Sequence, residues 1–251
     1  MPDTATIQPR FVILAAPRSG SNMLCTMLDS HPSILCHHEI FNPEGIRLAL
    51  RLRNTEFRLG TVADREQDPE AFLERVWTTR LGFPCVGFKL THRQHELVFR
   101  RLLADATVAK VVLRRRNRLK TYVSHRISET LAEWEVYRPQ DLIRDRPRVQ
   151  IEPRHFLERV AFDNAYYSEI REAVEGHGQA WTEVFYEELF AEDTQNTILK
   201  FLGLTPTSTG LEIASVKQNA CDLRELVENY AELLRVFEGT PFESELRDCN
   251  R

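Results

Sequence analysis

Apolar residues fall in short unbroken blocks, separated by longer stretches in which they recur every three or four positions. Phe11 to Ala16 is apolar throughout and predicts a strand buried on both faces. Val86 to Leu90, Ala109 to Arg114 and Ala180 to Phe185 predict three more strands. Asn22 to Ser30 predicts a short helix after the first strand. It must stop near His31, because Pro32 follows and a residue before proline avoids the helical region. Asp68 before Pro69 predicts an N-cap and first-turn proline for a helix through about Thr79. Gln94 to Leu103 predicts another helix. Asn117 is placed to cap the next, in which Leu119, Val123, Ile127 and Leu131 share one face. Phe156 to Val174 and Thr194 to Leu202 complete the alternation, the latter ended by Gly203 as a C′ residue. Leu223 to Phe237 predicts a terminal helix.

Strands alternating with helices predict one α/β domain over residues 1–251, with a mainly parallel central sheet flanked by helices. Segments 42–80 and 130–155 are less regular and read as insertions. No repeat, low-complexity tract or long linker divides the chain.

Composition narrows the classes. With 42% hydrophobic and 28% charged residues the chain is of ordinary globular type, and a net charge of −4 gives no sign of a nucleic-acid partner. The apolar blocks are too short to span a bilayer, so no transmembrane segment is expected. Met1 to Arg10 lacks the apolar stretch of a signal peptide, and a cytoplasmic protein is expected. The five cysteines are scattered without a Cys-x-x-Cys pair, against a disulfide framework or zinc site, and Cys25 reads as a core side chain. His92 and His95 are spaced to share a helical face, but no further ligand completes a metal motif, and no metal is expected.

Two constellations carry chemistry. Pro17, Arg18, Ser19, Gly20, Ser21 and Asn22 lie between the first strand and first helix, where a parallel sheet places its anion site. Gly20 permits close backbone approach, the hydroxyls and amide are donors, and Arg18 is a permanent cation for phosphate or sulfate. An ordinary capped turn is the alternative. No Gly-Lys-Ser/Thr follows, so the loop is not a Walker A motif. The second constellation is a basic stretch: nine Lys and Arg between Arg100 and Arg126 face one acid, Asp105. Lys120 and Ser124 are one helical turn apart, and Arg116 precedes them at the strand–helix junction. A solvated basic helix is the alternative.

The run from Pro17 to Ser21 resembles the 5′-phosphosulfate loop of the sulfotransferases that use 3′-phosphoadenosine 5′-phosphosulfate, in the branch with arginine at that place. Arg116 and Ser124, eight positions apart, resemble that family's second motif, whose arginine and serine hold the donor's 3′-phosphate. Leu113 to Leu119 is similar to the version in bacterial carbohydrate sulfotransferases of the Nod-factor and glycolipid type. Arg118 departs from the proline common in vertebrate members. Val86 to Leu90 resembles the family's central strand with its lysine, here Lys89. Tyr186 to Leu189 with Phe201 to Leu204 resembles the segment after the last core strand. Lys217 and Gln218 through Leu233 resemble the C-terminal donor-covering region, without its glycine-rich Arg-Lys-Gly form.

The resemblance implies a P-loop-kinase-like sulfotransferase fold and the phosphosulfate donor as cosubstrate. It also implies a division of the chain: donor loop and base in 10–41, acceptor-side segments 42–80 and 130–155, the 3′-phosphate motif in 108–128, and donor cover in 215–240. Glu39 lies where carbohydrate sulfotransferases with a glutamate base place theirs, with His37 and His38 as rivals. Adjacent residues cannot all face one pocket, and Glu39 is favoured. Arg18 and Lys89 are the candidates to stabilise charge on the donor's bridging oxygen. The expected acceptor is a carbohydrate or glycolipid hydroxyl; a phenolic or polyketide hydroxyl is the alternative. A P-loop-like small-molecule kinase and a non-catalytic sensor of an adenine bisphosphate are the competing classes. A homo-oligomer is compatible with all of these.

Overall fold

A strand that is apolar at every position must be covered on both faces, and this requirement organises the chain. The structure, a computed structural model, describes residues 9–206 and 210–249. Its elements in chain order are β1 (Arg10–Ala15), α1 (Ser21–Ser30), β2 (Ile34–His37), α2 (Val62–Gln67), α3 (Pro69–Thr78), β3 (Cys85–Thr91), α4 (Glu96–Ala104), β4 (Val108–Arg114) and α5 (Arg118–Leu131). These are followed by α6 (Pro153–Gly176), β5 (Trp181–Phe185), α7 (Glu192–Phe201), α8 (Leu223–Leu226), α9 (Tyr230–Val236) and α10 (Pro241–Arg247).

The five strands form one sheet in the order β2-β3-β1-β4-β5, with every pairing parallel. The α/β domain with a parallel sheet expected from the pattern is therefore what the chain forms. β1 sits in the middle, and its side chains alternate between two cores. Val12 and Leu14 pack with Phe88, Trp77 and Phe99 under α3, α4 and α6. Phe11 and Ile13 pack with Leu24, Met27 and Leu199 under α1 and α7. Gly87 is small because the Phe11 ring fills its place: a Cβ there would lie 2.4 Å from Phe11 Cε1. A third cluster joins Leu119, Val123 and Ile127 of α5 to Phe156, Leu223 and Phe237.

Local signals set most boundaries. The Asp68 carboxylate accepts from Ala71 N at 2.9 Å to cap α3, and Asn117 Oδ1 accepts from Lys120 N at 2.8 Å to cap α5. Three expectations need correction. β2 lies in a segment with no strand signal of its own, and it exists through pairing with β3. His92 and His95 do not share a helical face, because α4 begins only at Glu96. His95 is its N-cap, and His92 stacks against Phe162 and Tyr166. The expected 223–237 helix is two helices, α8 and α9, with α10 beyond. It breaks because Val227 bridges to Val149, and the Asn229 amide bonds both Ile151 N and Ile151 O at 2.9 Å. Segment 42–80 carries α2 and α3, whereas 130–155 is mostly irregular. Among the described residues no helix is long and apolar enough to cross a membrane.

Candidate active site

The carboxyl ends of β2, β3, β1 and β4 open onto one cavity of about 1110 Å³. Its first wall is the turn from β1 into α1. Arg18 and Gly20 both adopt positive φ, 65° and 94°, so the chain reverses within four residues. Gly20 is required for a second reason, since a Cβ there would lie 2.2 Å from Tyr186 Cδ2. Ser19 is buried and turned inward, its hydroxyl donating to Ala16 O at 2.7 Å; it braces the turn and is not in the cavity wall. Pro17, Arg18, Gly20, Ser21 and Asn22 are in the wall, with Gly20 as the N-cap of α1. The first N–H groups of that helix point toward the cavity end, where an anion is favoured.

Arg18 gathers three distant segments. Its Nε donates to Ser124 Oγ at 3.1 Å, its Nη1 to Trp134 O at 2.5 Å, and its Nη2 to Gln218 Oε1. Ser124 Oγ also accepts from Asn219 Nδ2 at 3.1 Å. Burial, then the nearby charges of Arg115 and Arg146, lower the Arg18 pKa to about 10, so it remains a cation at neutral pH.

Lys89 reaches the same place by strand alternation. It shares a face of β3 with Cys85 and Gly87, the face that α1 covers. Its ammonium donates to Asn22 Oδ1 and lies 2.7 Å from Glu39 Oε1. Asn42 Nδ2 donates to Glu39 Oε2 at 2.7 Å. Burial alone would raise the Glu39 pKa. The Lys89 charge and hydrogen bonds from Lys89, Asn42 and Gln94 outweigh it and hold the carboxyl at about 2.

The three adjacent candidate bases separate. His37 is fully buried, accepts from Ala49 N at 3.2 Å and is not in the cavity wall; burial lowers its pKa to about 4. His38 and Glu39 both line the cavity. Tyr137 donates to Glu135 at 2.7 Å, and Arg53 holds Glu135 at 2.6 Å. The Tyr137 oxygen therefore accepts from His38 Nδ1 at 3.2 Å, an assignment that follows from the network and leaves the lone pair on Nε2. Burial, then the Lys89 and Arg53 charges, keep His38 neutral.

Of the second motif, Lys120 and Ser124 line the cavity, but Arg116 does not. Arg116 pairs with Glu188 and lies over the Phe185 ring at 3.9 Å, about half exposed. Arg115 lines the cavity in its place, its guanidinium 4.6 Å from the centre of the Tyr186 ring. Arg115 and Arg116 both line a smaller neighbouring cavity of about 240 Å³, and the eight-residue spacing does not single out Arg115. The alternation of β4 contains the signal: Val111 and Leu113 face the α1 side, and Arg115 continues that face. Arg118 is bound to Glu245 of α10. Lys217 and Gln218 line the cavity, with Lys217 Nζ 2.5 Å from Cys221 Sγ. Among the described residues no cluster of three or more His, Cys, Asp or Glu could hold a metal.

No protein-family model matches the chain. It is similar to nodulation protein H of Rhizobium tropici, at 24% identity over 238 residues, 92% of this chain and 90% of that one. Among solved structures, a sulfotransferase from Alicyclobacillus acidocaldarius aligns at 19% identity and a TM-score of 0.46, over 96% of both chains. Mouse sulfotransferase SULT7A1 complexed with PAP aligns at 13% identity and a TM-score of 0.42, over 90% of this chain and 66% of that one.

Proposed function

We infer that this chain is a bacterial-type sulfotransferase that moves a sulfuryl group from 3′-phosphoadenosine 5′-phosphosulfate to an acceptor hydroxyl. The observation that carries this reading is the meeting of Arg18, Ser124 and Gln218. Three segments resembling separate donor motifs, up to 200 positions apart, join on one guanidinium in one cavity. The cavity also suits a polyanion: Arg18 has only neutral hydrogen-bond partners, and Lys89 and Lys120 stand on the same wall.

When bound, the donor supplies the sulfuryl group. Arg18, Gly20, Ser21, Asn22 and the start of α1 would hold its phosphosulfate end, with Pro17 and Ser19 shaping the turn. Ser124, Lys217 and Gln218 would hold and cover the rest. Lys89, beside Asn22, would offset charge at the bridging oxygen. Glu39 would accept the proton of the acceptor hydroxyl. Its carboxylate is paired with Lys89. Each hydrogen bond that Lys89 gives to a sulfate oxygen instead weakens that hold and restores basicity to Glu39.

The acceptor we propose is a carbohydrate or glycolipid hydroxyl. The Glu39 carboxylate on the cavity wall, with Asn42 beside it, offers hydrogen-bonding groups that suit a polyol. Exposed Trp134, Ile143, Phe190 and Ile213 line the same cavity, which suits an apolar arm. A cytoplasmic place of action is part of the proposal and rests on the free thiols, Cys25 and Cys36 among them although their sulfurs lie 3.3 Å apart.

Transfer of labelled sulfate from the donor to glycan, glycolipid and phenolic acceptors, in EDTA, tests the reading. Label should appear in a glycan or glycolipid. Transfer to phenols alone would overturn the acceptor class, and magnesium-dependent transfer of phosphate from ATP would overturn the reaction.

A further inference from the structure

Four arginines crowd the end of β4, and three are compensated by a carboxylate. Arg114 is 3.2 Å from Glu183, Arg118 is 2.5 Å from Glu245, and Arg116 pairs with Glu188. Arg115 has no ion-pair or hydrogen-bond partner among the described residues. Its contact is the face of Tyr186, and its buried Nε is unsatisfied. The acids nearest to it are engaged elsewhere. Glu187 accepts from Arg116 N and Asn117 N, and Asp248 accepts from Asn117 Nδ2 and pairs with Lys120. Arg115 is half-buried and only its Nε is cut off from water, so its cation keeps an accessible edge that faces no counter-charge and can meet an anion.

We propose that Arg115, set in place by stacking on Tyr186, is the cation of this cavity that binds the second anionic group of the donor, the role that motif spacing assigns to Arg116. The proposal rests on the sulfotransferase reading for the identity of that donor. Tyr186 is the positioning residue. One part of its ring fills the space left by the missing Cβ of Gly20 in the anion loop, and its face carries Arg115. The ring therefore ties the position of Arg115 to the loop. Arg115 is also the charge that most lowers the Arg18 pKa, as expected of two cations lining one cavity. Such a pair suits a ligand with two separate anionic groups.

Calorimetric titration with adenosine 3′,5′-bisphosphate, and separately with inorganic pyrophosphate, tests this on wild type, Arg115→Gln, Arg116→Gln, Tyr186→Phe and Tyr186→Leu. We expect Arg115→Gln to weaken the bisphosphate about 10–100-fold, the loss of a charge-assisted contact, and Arg116→Gln to stay within about threefold. Tyr186→Phe should retain affinity, because it keeps the ring, and Tyr186→Leu should lose about tenfold. Thermal unfolding without ligand supplies a readout that misfolding cannot imitate: Arg115→Gln should melt at or above the wild-type temperature while binding worse. Wild-type bisphosphate affinity in Arg115→Gln would overturn the proposal and leave the sulfotransferase reading standing. Binding of pyrophosphate but not of the bisphosphate, still dependent on Arg115, would uphold this anion site and count against the donor. A wild type that binds neither probe would overturn both.

Discussion

The Lys89 ammonium lies 2.7 Å from Glu39 Oε1, so the proposed base and a proposed charge stabiliser form an ion pair. Glu39 reaches this position from the end of β2, and Lys89 from the face of β3 covered by α1. The pairing links the end of β2 to the start of α1, because the same ammonium also donates to Asn22.

Glu39→Gln keeps the shape of the side chain and removes its charge. Single-turnover sulfuryl transfer at saturating donor should fall roughly 10²–10⁴-fold, the range for a positioned general base. Affinity for the bisphosphate should change little. His38→Asn should cost much less, and His37→Asn should lower the melting temperature rather than the chemical rate, since His37 is packed against Ala49. Near-normal turnover in Glu39→Gln with collapse in His38→Asn would transfer the role to His38.

The pH dependence of stability follows from the same pair. Glu39 is held at about 2 against an ordinary 4.5, a depressed carboxylate. Its contribution is present above the unfolded value and is lost as pH falls from 4.5 through about 2. The shift corresponds to about 3 kcal/mol at most, at 1.36 kcal/mol per unit. Urea titrations across this window should show a shallower acid loss in Glu39→Gln. In Lys89→Met the Glu39 carboxyl should titrate well above its wild-type value, because burial is then opposed only by the Asn42 and Gln94 hydrogen bonds, and carbon-13 NMR of the labelled carboxyl reads this directly.

Gly20→Ala places a methyl within 2.2 Å of Tyr186 Cδ2 at a residue with φ of 94°. Strain and clash together should cost about 1–3 kcal/mol of stability. Bisphosphate binding should be lost as well, because Tyr186 must move from the loop. Thermal unfolding and calorimetry on the one variant check both parts. Unchanged binding would show that the loop and ring are not coupled.

Arg18→Ala should weaken the bisphosphate by about 1.5–3 kcal/mol, and Ser124→Ala by about 1 kcal/mol. Arg18 also ties Trp134 and Gln218 across the cavity. Its removal should therefore raise backbone amide exchange at residues 132–137 and 215–219, with little change in the sheet. Uniform exchange across the chain would remove Arg18 as the tie.

Much of the scaffold was legible because local chemistry decides it. An all-apolar block such as Phe11 to Ala16 suits the centre of a parallel sheet, and Asp68 and Asn117 are side chains that cap helices wherever they stand in that position. The turn at Pro17 to Asn22 was legible for the same reason, since a strand, a small-residue turn and a helix start are consecutive in the chain. The other features depend on partners far along it. β2 needs β3 beside it, and the break between α8 and α9 needs Val149 and Ile151. Whether His37 or His38 meets the cavity depends on which face of the sheet each side chain leaves from. The different surroundings of Arg115 and Arg116 come from Tyr186 and Glu188, about 70 residues away. Sequence spacing records how far apart two residues are along the backbone. The direction of a side chain is set by the pleat of its strand and by whichever distant group neutralises or stacks on it, and only the folded structure brings that group within reach.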